Sequence, residues 1–183
     1  MLSHWVQTQF VLPISSRSTS IHPPNPFPPA HWGDADVVFE SITDVAEGGY
    51  PYPVVAAVVF AMHPDGLLVA DIPGRGWCVP SGRLEPGESP LDAAIRETYE
   101  EVGAELVNPR RIGVYTFASS AGVKTCVPAF VGWVTEPGPL PDGSESRGVR
   151  VLTRDQLPAN YWLWDDLMAS VFDFALECAE RFA

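Results

Sequence analysis

Positive charge is scarce in this chain. Lysine occurs once, at Lys124, and 11 lysines and arginines stand against 23 aspartates and glutamates, which gives a formal net charge of −12. Broad binding to nucleic acid or to an anionic membrane needs basic patches, so this balance argues against both. A phosphate-bearing small molecule would also be repelled unless a cation came with it.

Cysteine and long apolar runs are scarce too. Cys78, Cys126 and Cys178 are odd in number and widely spaced, which fits neither a zinc site nor a disulfide framework and predicts free thiols in a reducing cytosol. No apolar run approaches the length of a membrane span. The first ten residues lack the basic and apolar regions of a secretion signal. We therefore expect a cytoplasmic protein with no membrane partner.

Regular structure is expected to be scarce in the N-terminal region. Residues 4–13 are a strand candidate, but five prolines then crowd residues 23–29, where no helix or central strand can persist. We interpret residues 13–35 as an extended connector and divide the chain into an N-terminal extension, 1–36, and one domain, 37–183. The sequence leaves open whether the connector lies over its own domain or over the partner subunit of a homodimer.

The order of the remaining elements predicts the fold class. With 46% hydrophobic and 19% charged residues, the composition is that of a globular protein. β-Prone runs predict strands at residues 36–42, 53–62, 67–72, 111–117, 125–135 and 149–153. A loop is expected at 137–148, and apolar residues at helical spacing over 164–182 predict an amphipathic C-terminal helix. Strands, helix, strands and helix around one sheet predict a mixed α/β or α+β sandwich.

A helix is predicted from Ser89 to Gly103. Ser89 is a suitable N-cap, Pro90 fits the first helical position, and Gly103 supplies a left-handed stop. Five side chains are expected to form the stripe that faces the sheet: Leu91, Ala94, Ile95, Thr98 and Val102.

The remaining face of this helix is expected to carry Glu97, Glu100 and Glu101. At about 100° per residue, the three carboxylates project within roughly a 100° sector, near the negative end of the helix dipole. Each like-charge pair destabilises the helix by a few tenths of a kcal/mol. The face is either a solvated charged surface or a site at which something neutralises the charge.

Seven residues decide between these alternatives, because their spacing fits the pattern G-x5-E-x7-R-E-U-x-E-E-x-G-U. They are Gly82, Glu88, Arg96, Glu97, Glu100, Glu101 and Gly103. The stretch resembles the signature of the Nudix hydrolases. Thr98 and Ala104 depart mildly from its hydrophobic positions, and Ser81 replaces a glycine common just before it. The resemblance implies an α/β/α sandwich with a mixed β-sheet, this helix and the C-terminal helix.

The resemblance also implies an activity and a metal site. Family members cleave a diphosphate linked to another moiety, using magnesium or manganese. Carried over by position, Glu97, Glu100 and Glu101 are metal ligands, together with the carbonyl of Gly82. Hard divalent cations prefer such oxygen ligands, and they lower the pKa of an attacking water. The small-molecule diphosphate would then be held despite the net charge.

Other residues are assigned supporting or catalytic roles by the same resemblance. Arg96 is expected to orient the glutamates, including Glu88; a plain surface pair with Glu100 is the alternative. The catalytic base is a glutamate of the signature or one from a later loop, where Glu145 is the first candidate and Glu136 the second.

The substrate is expected to be a nucleoside diphosphate derivative. Subfamily markers, a proline or a tyrosine, are absent at residues 120–122. Four strand aromatics could stack a base or belong to the core: Trp77, Tyr115, Phe117 and Trp133. Two other functions stay open. One is a non-catalytic module that senses a nucleotide, and the other is an isoprenoid diphosphate isomerase, for which Cys78 would be the catalytic thiol.

Overall fold

A computed structural model describes residues 25–41 and 49–182 of the chain. In this part, nine strands belong to one sheet: β1 (Ala30–Trp32), β2 (Ala35–Ser41), β3 (Ala56–His63), β4 (Gly66–Ile72), β5 (Gly76–Cys78), β6 (Ser81–Arg83), β7 (Leu106–Ser119), β8 (Lys124–Val134) and β9 (Val149–Leu152). The helices are α1 (Pro90–Val102), α2 (Leu157–Asn160) and α3 (Asp166–Phe182).

The sheet is mixed, as predicted. Its main path runs β1-β2-β7-β8-β3-β4-β5, while β6 pairs with β3 and β9 pairs with β4. Strands β3 and β8 are parallel, with Val58 opposite Ala129, and the other strand pairs are antiparallel. The β3–β4 and β7–β8 hairpins follow from the turn residues after each first strand.

Two hydrophobic clusters cover the two faces of the sheet. One contains the inward side chains of α3, including Leu167, Val171 and Phe172. The other contains Ala93 and Ala94 of α1. The predicted α/β/α sandwich is therefore confirmed. In the described residues no helix is both long and apolar enough to cross a membrane.

The N-terminal part of the described chain is more regular than we expected. The predicted connector contains strand β1, which pairs with β2, and Phe27 is buried with its ring centroid 4.7 Å from that of Phe39. The strand candidate at residues 4–13 lies outside the described residues. The division of the chain at residue 36 stays a prediction.

Both ends of α1 are confirmed. Ser89 Oγ accepts a hydrogen bond from the backbone N–H of Asp92 at 3.2 Å. Gly103 ends the helix with a φ of 66°, and its N–H donates to the carbonyl of Tyr99. These are the cap geometries that the sequence predicts.

The predicted orientation of α1 is wrong in part. Leu91 and Ile95 are 40% and 42% exposed, whereas Glu97 and Glu101 are 9% and 5% exposed. The helix places small Ala93 and Ala94 against the sheet, which turns two of its glutamates inward, towards β6. A glutamate can occupy that position because Gly82 of β6 has no side chain.

Candidate active site

A cleft of about 940 Å³ lies beside the inward face of α1. Strand β6, helix α1 and the loop at 141–145 line one end. Strands β1 and β7 line the other, and residues 161–163 also contribute to the lining. Every residue that we predicted from the signature as a metal ligand lines this cleft, namely Gly82, Glu97, Glu100 and Glu101.

Arg96 binds three glutamates at once. Its Nε donates to Glu88 Oε1 at 2.8 Å, and its Nη1 donates to Glu97 Oε1 at 2.7 Å and to Glu100 Oε2 at 3.0 Å. Its Nη2 also donates to the carbonyl of Arg83 at 3.0 Å. The hydrogen bond from Arg96 holds the pKa of Glu88 below its ordinary value. These contacts exceed a plain surface pair with Glu100, and the orienting role of Arg96 stays a prediction.

Glu97 occupies space that only glycine leaves free. A Cβ on Gly82 would lie 1.8 Å from Glu97 Oε1, which is far inside van der Waals contact. Burial raises the pKa of Glu97, and the hydrogen bond from Arg96 offsets only part of that increase. The carboxylate is therefore held in a place where its negative charge is not fully compensated.

Glu101 is the second buried carboxylate. One of its oxygens accepts from the backbone N–H of Ser81 at 2.9 Å, and the other lies 3.7 Å from Arg75 Nη2. Burial nevertheless raises its pKa to about 7, and the nearby charge of Glu97 adds to that increase. Perturbed carboxylates in a cleft are typical of functional sites.

The donor set of this cleft fits a hard divalent cation. Glu97, Glu100 and Glu101 offer oxygen atoms only, which Mg²⁺ and Mn²⁺ accept, and a cation would compensate the buried charge. Among the residues that the structure describes, no three acidic, histidine or cysteine side chains already converge as a formed metal site. Arg96 donates hydrogen bonds to two of these glutamates, and the backbone N–H of Ser81 donates to the third. The glutamate side chains would therefore have to turn towards a cation.

The two candidates for the base lie in different places. Glu145 lines the cleft, on a loop that is fixed to α1 because Ser144 Oγ donates to the carbonyl of Glu100 at 2.6 Å. Glu136 lies outside the cleft; its side chain is 87% exposed and lies 3.4 Å from His63 Nε2.

Only some of the predicted aromatics reach the cleft. Tyr115 and Phe117 line it. Trp77 instead packs under the guanidinium of Arg150, 4.2 Å from the ring centroid, and Trp133 lies on a surface outside the cleft.

Four further aromatics line the cleft that we did not select from the sequence: Trp32, Tyr99, Tyr161 and Trp162. The aromatic run at residues 161–164 was a usable signal. Trp32 follows the proline cluster, and nothing local in the sequence marks it as part of a site.

An α/β/α sandwich with paired glutamates on a helix beside a cleft is the arrangement that the resemblance to the Nudix hydrolases implies. A sequence model of the NUDIX domain matches residues 51–172, more than half of the chain. The chain belongs to the Nudix family, and the resemblance stated above is confirmed.

Known relatives match parts of the chain. An uncharacterised Nudix hydrolase of Bacillus subtilis, YvcI, is 46% identical over 59 residues, which cover 32% of this chain and 37% of that protein. A putative 8-oxo-dGTP diphosphatase of the same organism is 34% identical over 82 residues, 45% of this chain and 53% of that protein. The matched stretches thus span about half or less of these relatives.

Solved structures extend the likeness to the fold. The crystal structure of a Bacillus subtilis pyrophosphohydrolase superposes with a TM-score of 0.64 at 19% identity, covering 81% of this chain and 92% of that one. At this level of identity, the likeness shows a shared fold alone.

Proposed function

We propose that this protein is a metal-dependent pyrophosphohydrolase that cleaves the diphosphate linkage of a nucleoside diphosphate derivative. The observation that carries the proposal is the pair of buried glutamates, Glu97 and Glu101, whose pKa values burial raises. A structural role alone gives no reason to bury two carboxylates side by side, since each disfavours its charged form there.

Magnesium or manganese is the proposed cofactor. Glu97, Glu100 and Glu101 would hold it, with the carbonyl of Gly82 as a further ligand. When bound, such a cation polarises phosphoryl oxygens and lowers the pKa of a coordinated water. Arg96 keeps the glutamates in place through the contacts described above, and it lines the cleft.

Glu145 is the proposed general base. A water oxygen attacks one phosphorus of the diphosphate, the bond from that phosphorus to the bridging oxygen breaks, and the water proton passes to the Glu145 carboxylate. Glu145 fits because it lines the cleft, on a loop that Ser144 fixes to α1. The exposed Glu136 does not line the cleft, so it has less support as the base.

The two alternative functions have less support. Cys78 is almost fully buried, and burial raises the pKa of its thiol to about 12, so it is a poor catalytic thiol for an isomerase. A nucleotide-sensing module would be expected to lose the glutamates of the signature, and this chain retains them. A cytoplasmic location is part of our proposal and rests on three free, buried cysteines; a homodimer stays a prediction.

A panel of diphosphates tests the proposal. Nucleoside diphosphate derivatives and isopentenyl diphosphate are incubated with the protein and Mg²⁺ or Mn²⁺, and released phosphate, nucleotide and isomerised product are measured. We expect phosphate or nucleotide release from at least one nucleoside compound, abolished by a chelator. Isomerised isopentenyl diphosphate without phosphate release, or ligand-induced thermal stabilisation with no turnover, would instead establish one of the alternatives.

A further inference from the structure

The end of the cleft away from the glutamates is apolar and aromatic. Trp32 on β1 and Tyr115 and Phe117 on β7 line it. The Trp32 ring centroid lies 5.9 Å from that of Tyr115 and 5.9 Å from that of Phe117. Val127 and Met168 complete the apolar surroundings. Three rings that lie close together in the cleft wall offer a surface for a planar, uncharged group.

Trp32 is held in place by a hydrogen bond to Asp165. Its Nε1 donates to Asp165 Oδ2 at 2.6 Å, while Asp165 Oδ1 accepts from the backbone N–H of Met168 at 2.8 Å. The polar group of the indole is thus satisfied by the residue that precedes α3, and the half-buried ring remains part of the cleft wall. Strand β1 precedes residues 51–172, the region that the NUDIX domain matches, so Trp32 lies outside that matched region.

The hydroxyl of Tyr115 has unused hydrogen-bonding capacity. Its side chain is 4% exposed, and the partner of its hydroxyl among the described residues is Met168 Sδ at 3.7 Å. A thioether is a weak acceptor, and a buried hydroxyl without a good partner is unfavourable. A polar atom on a bound ligand would give this hydroxyl a stronger hydrogen-bond partner.

The distance between the glutamates and the three aromatic rings requires an extended ligand if both are to be contacted. Strand β6 lies beside the glutamates, and β3, β8 and β7 follow it in the sheet. Three strand spacings amount to roughly 14 Å. A diphosphate alone is too short to reach from the glutamates to the three rings, whereas a diphosphate joined through a sugar to a flat base extends across the cleft.

We infer that Trp32, Tyr115 and Phe117 form a nucleobase subsite, with Trp32 as a specificity-determining residue supplied by strand β1. This inference rests on the proposed function, because the diphosphate must bind at the glutamates. The base lies against the rings of Trp32 and Phe117, and the Tyr115 hydroxyl donates to an acceptor on the base.

Binding of non-hydrolysable probes tests the subsite. The probes are the 5′-(α,β-methylene)diphosphates of adenosine, guanosine, cytidine and uridine, and methylenediphosphonate, which lacks base and sugar. Affinities are measured by calorimetry with Mg²⁺ present. We expect wild type to bind at least one nucleoside probe tenfold or more tightly than methylenediphosphonate, roughly the scale of one base–aromatic stacking contact.

The variant Trp32→Leu should remove most of that preference and leave the affinity for methylenediphosphonate unchanged. Trp32→Phe should retain part of it. Trp133→Leu, which changes a partly exposed tryptophan outside the cleft, is the matched control and should behave as wild type. If Trp32→Leu does not fold, Tyr115→Phe removes the hydroxyl alone and should weaken nucleoside probes by several-fold without affecting methylenediphosphonate.

Two results would overturn the subsite. One is a wild type without preference for any nucleoside probe, and the other is a folded Trp32→Leu that retains the wild-type preference. Failure of the proposed function is distinguishable from either. Loss of probe binding in Trp32→Leu with no hydrolysis of any natural diphosphate would support the subsite and refute the hydrolase. Hydrolysis by Trp32→Leu with a wild-type KM would support the hydrolase and refute the subsite.

Discussion

Helices α1 and α3 pack on opposite faces of the same sheet, and they bury different chemistry. The inward side of α3 is made of apolar side chains and one cysteine. The inward side of α1 combines Ala93, Ala94 and Val102 with two glutamates. Helix α3 therefore contributes packing, whereas α1 gives up part of its packing surface to charged groups.

This difference is what we expect between a helix that stabilises the fold and a helix that carries the proposed site. Burial of an apolar side chain contributes about 1.5–3 kcal/mol, while a buried carboxylate opposes folding unless it is compensated. On α1, Arg96 and the Ser81 N–H compensate only in part, since the pKa values of Glu97 and Glu101 remain above their ordinary range. The uncompensated charge is what a cation would use.

The largest effect is expected from removing one charge at a time from α1. Glu97→Gln, Glu100→Gln and Glu101→Gln keep the size and polarity of each side chain. For at least two of them, kcat should fall by orders of magnitude, on the scale of losing a Lewis acid. The rise in melting temperature that Mg²⁺ or Mn²⁺ gives should also disappear. Steady-state kinetics and thermal melts with and without metal measure both quantities.

Ile95→Gln is the matched control for these variants, because Ile95 lies on the exposed side of the same helix. It should retain wild-type turnover and metal response. Wild-type rates in all three glutamine variants would show that α1, like α3, has a structural role only.

The next largest effect is expected on α3 and concerns stability. Phe172 is fully buried, and its ring centroid lies 5.0 Å from those of Phe60 and Tyr161. Phe172→Ala should lower the free energy of unfolding by about 3–5 kcal/mol, measured by urea denaturation. Phe182→Ala, at an exposed position of the same helix, should change it by only about 0.5 kcal/mol. Equal losses in both would mean that α3 packs through a different face.

The smallest effect is a pH dependence of the metal-free protein. The Glu101 carboxyl has an ordinary pKa of 4.5 and a folded pKa of about 7. Between these values the folded protein holds one proton more than the unfolded chain, so the free energy of unfolding falls as pH rises. The total loss is up to about 3 kcal/mol by pH 8.

The contribution of Glu101 is isolated by denaturing wild type and Glu101→Gln from pH 4 to pH 8. A chelator is present throughout. The wild-type free energy of unfolding should fall relative to that of the variant as pH rises. Ile95→Gln, which changes an exposed, uncharged side chain of the same helix, provides the control and should keep the wild-type slope. Parallel curves for wild type and Glu101→Gln would show that the burial of Glu101 has no effect on its titration.

The same comparison explains what could be read from the sequence. The position of α3 and its inward stripe follow from simple periodicity, although Phe182 turns out exposed. The ends of α1 follow from Ser89 and Gly103. Its orientation does not, because periodicity favours Leu91 and Ile95 as inward residues, while the space left by Gly82 is visible only once β6 is folded beside the helix.

The signature residues of the site were found because they lie within one short stretch of sequence. Trp32 was not, because its place in the cleft depends on contact with Asp165, far along the chain. Non-local contacts of this kind leave no periodic or local composition signal. Glu145 could be named from its loop, but only the contact of Ser144 with α1 explains why that loop reaches the cleft.

The parallel pairing of β3 with β8 has a consequence for the synthesis of the protein. Val58 pairs with Ala129, so β3 leaves the ribosome well before its central partner is made. Strand β6 and helix α1 emerge in between, and they can cover only part of β3. Because unpaired apolar strands promote aggregation during folding, we expect nascent chains that stop before β8 to depend on chaperones more than the full-length chain does.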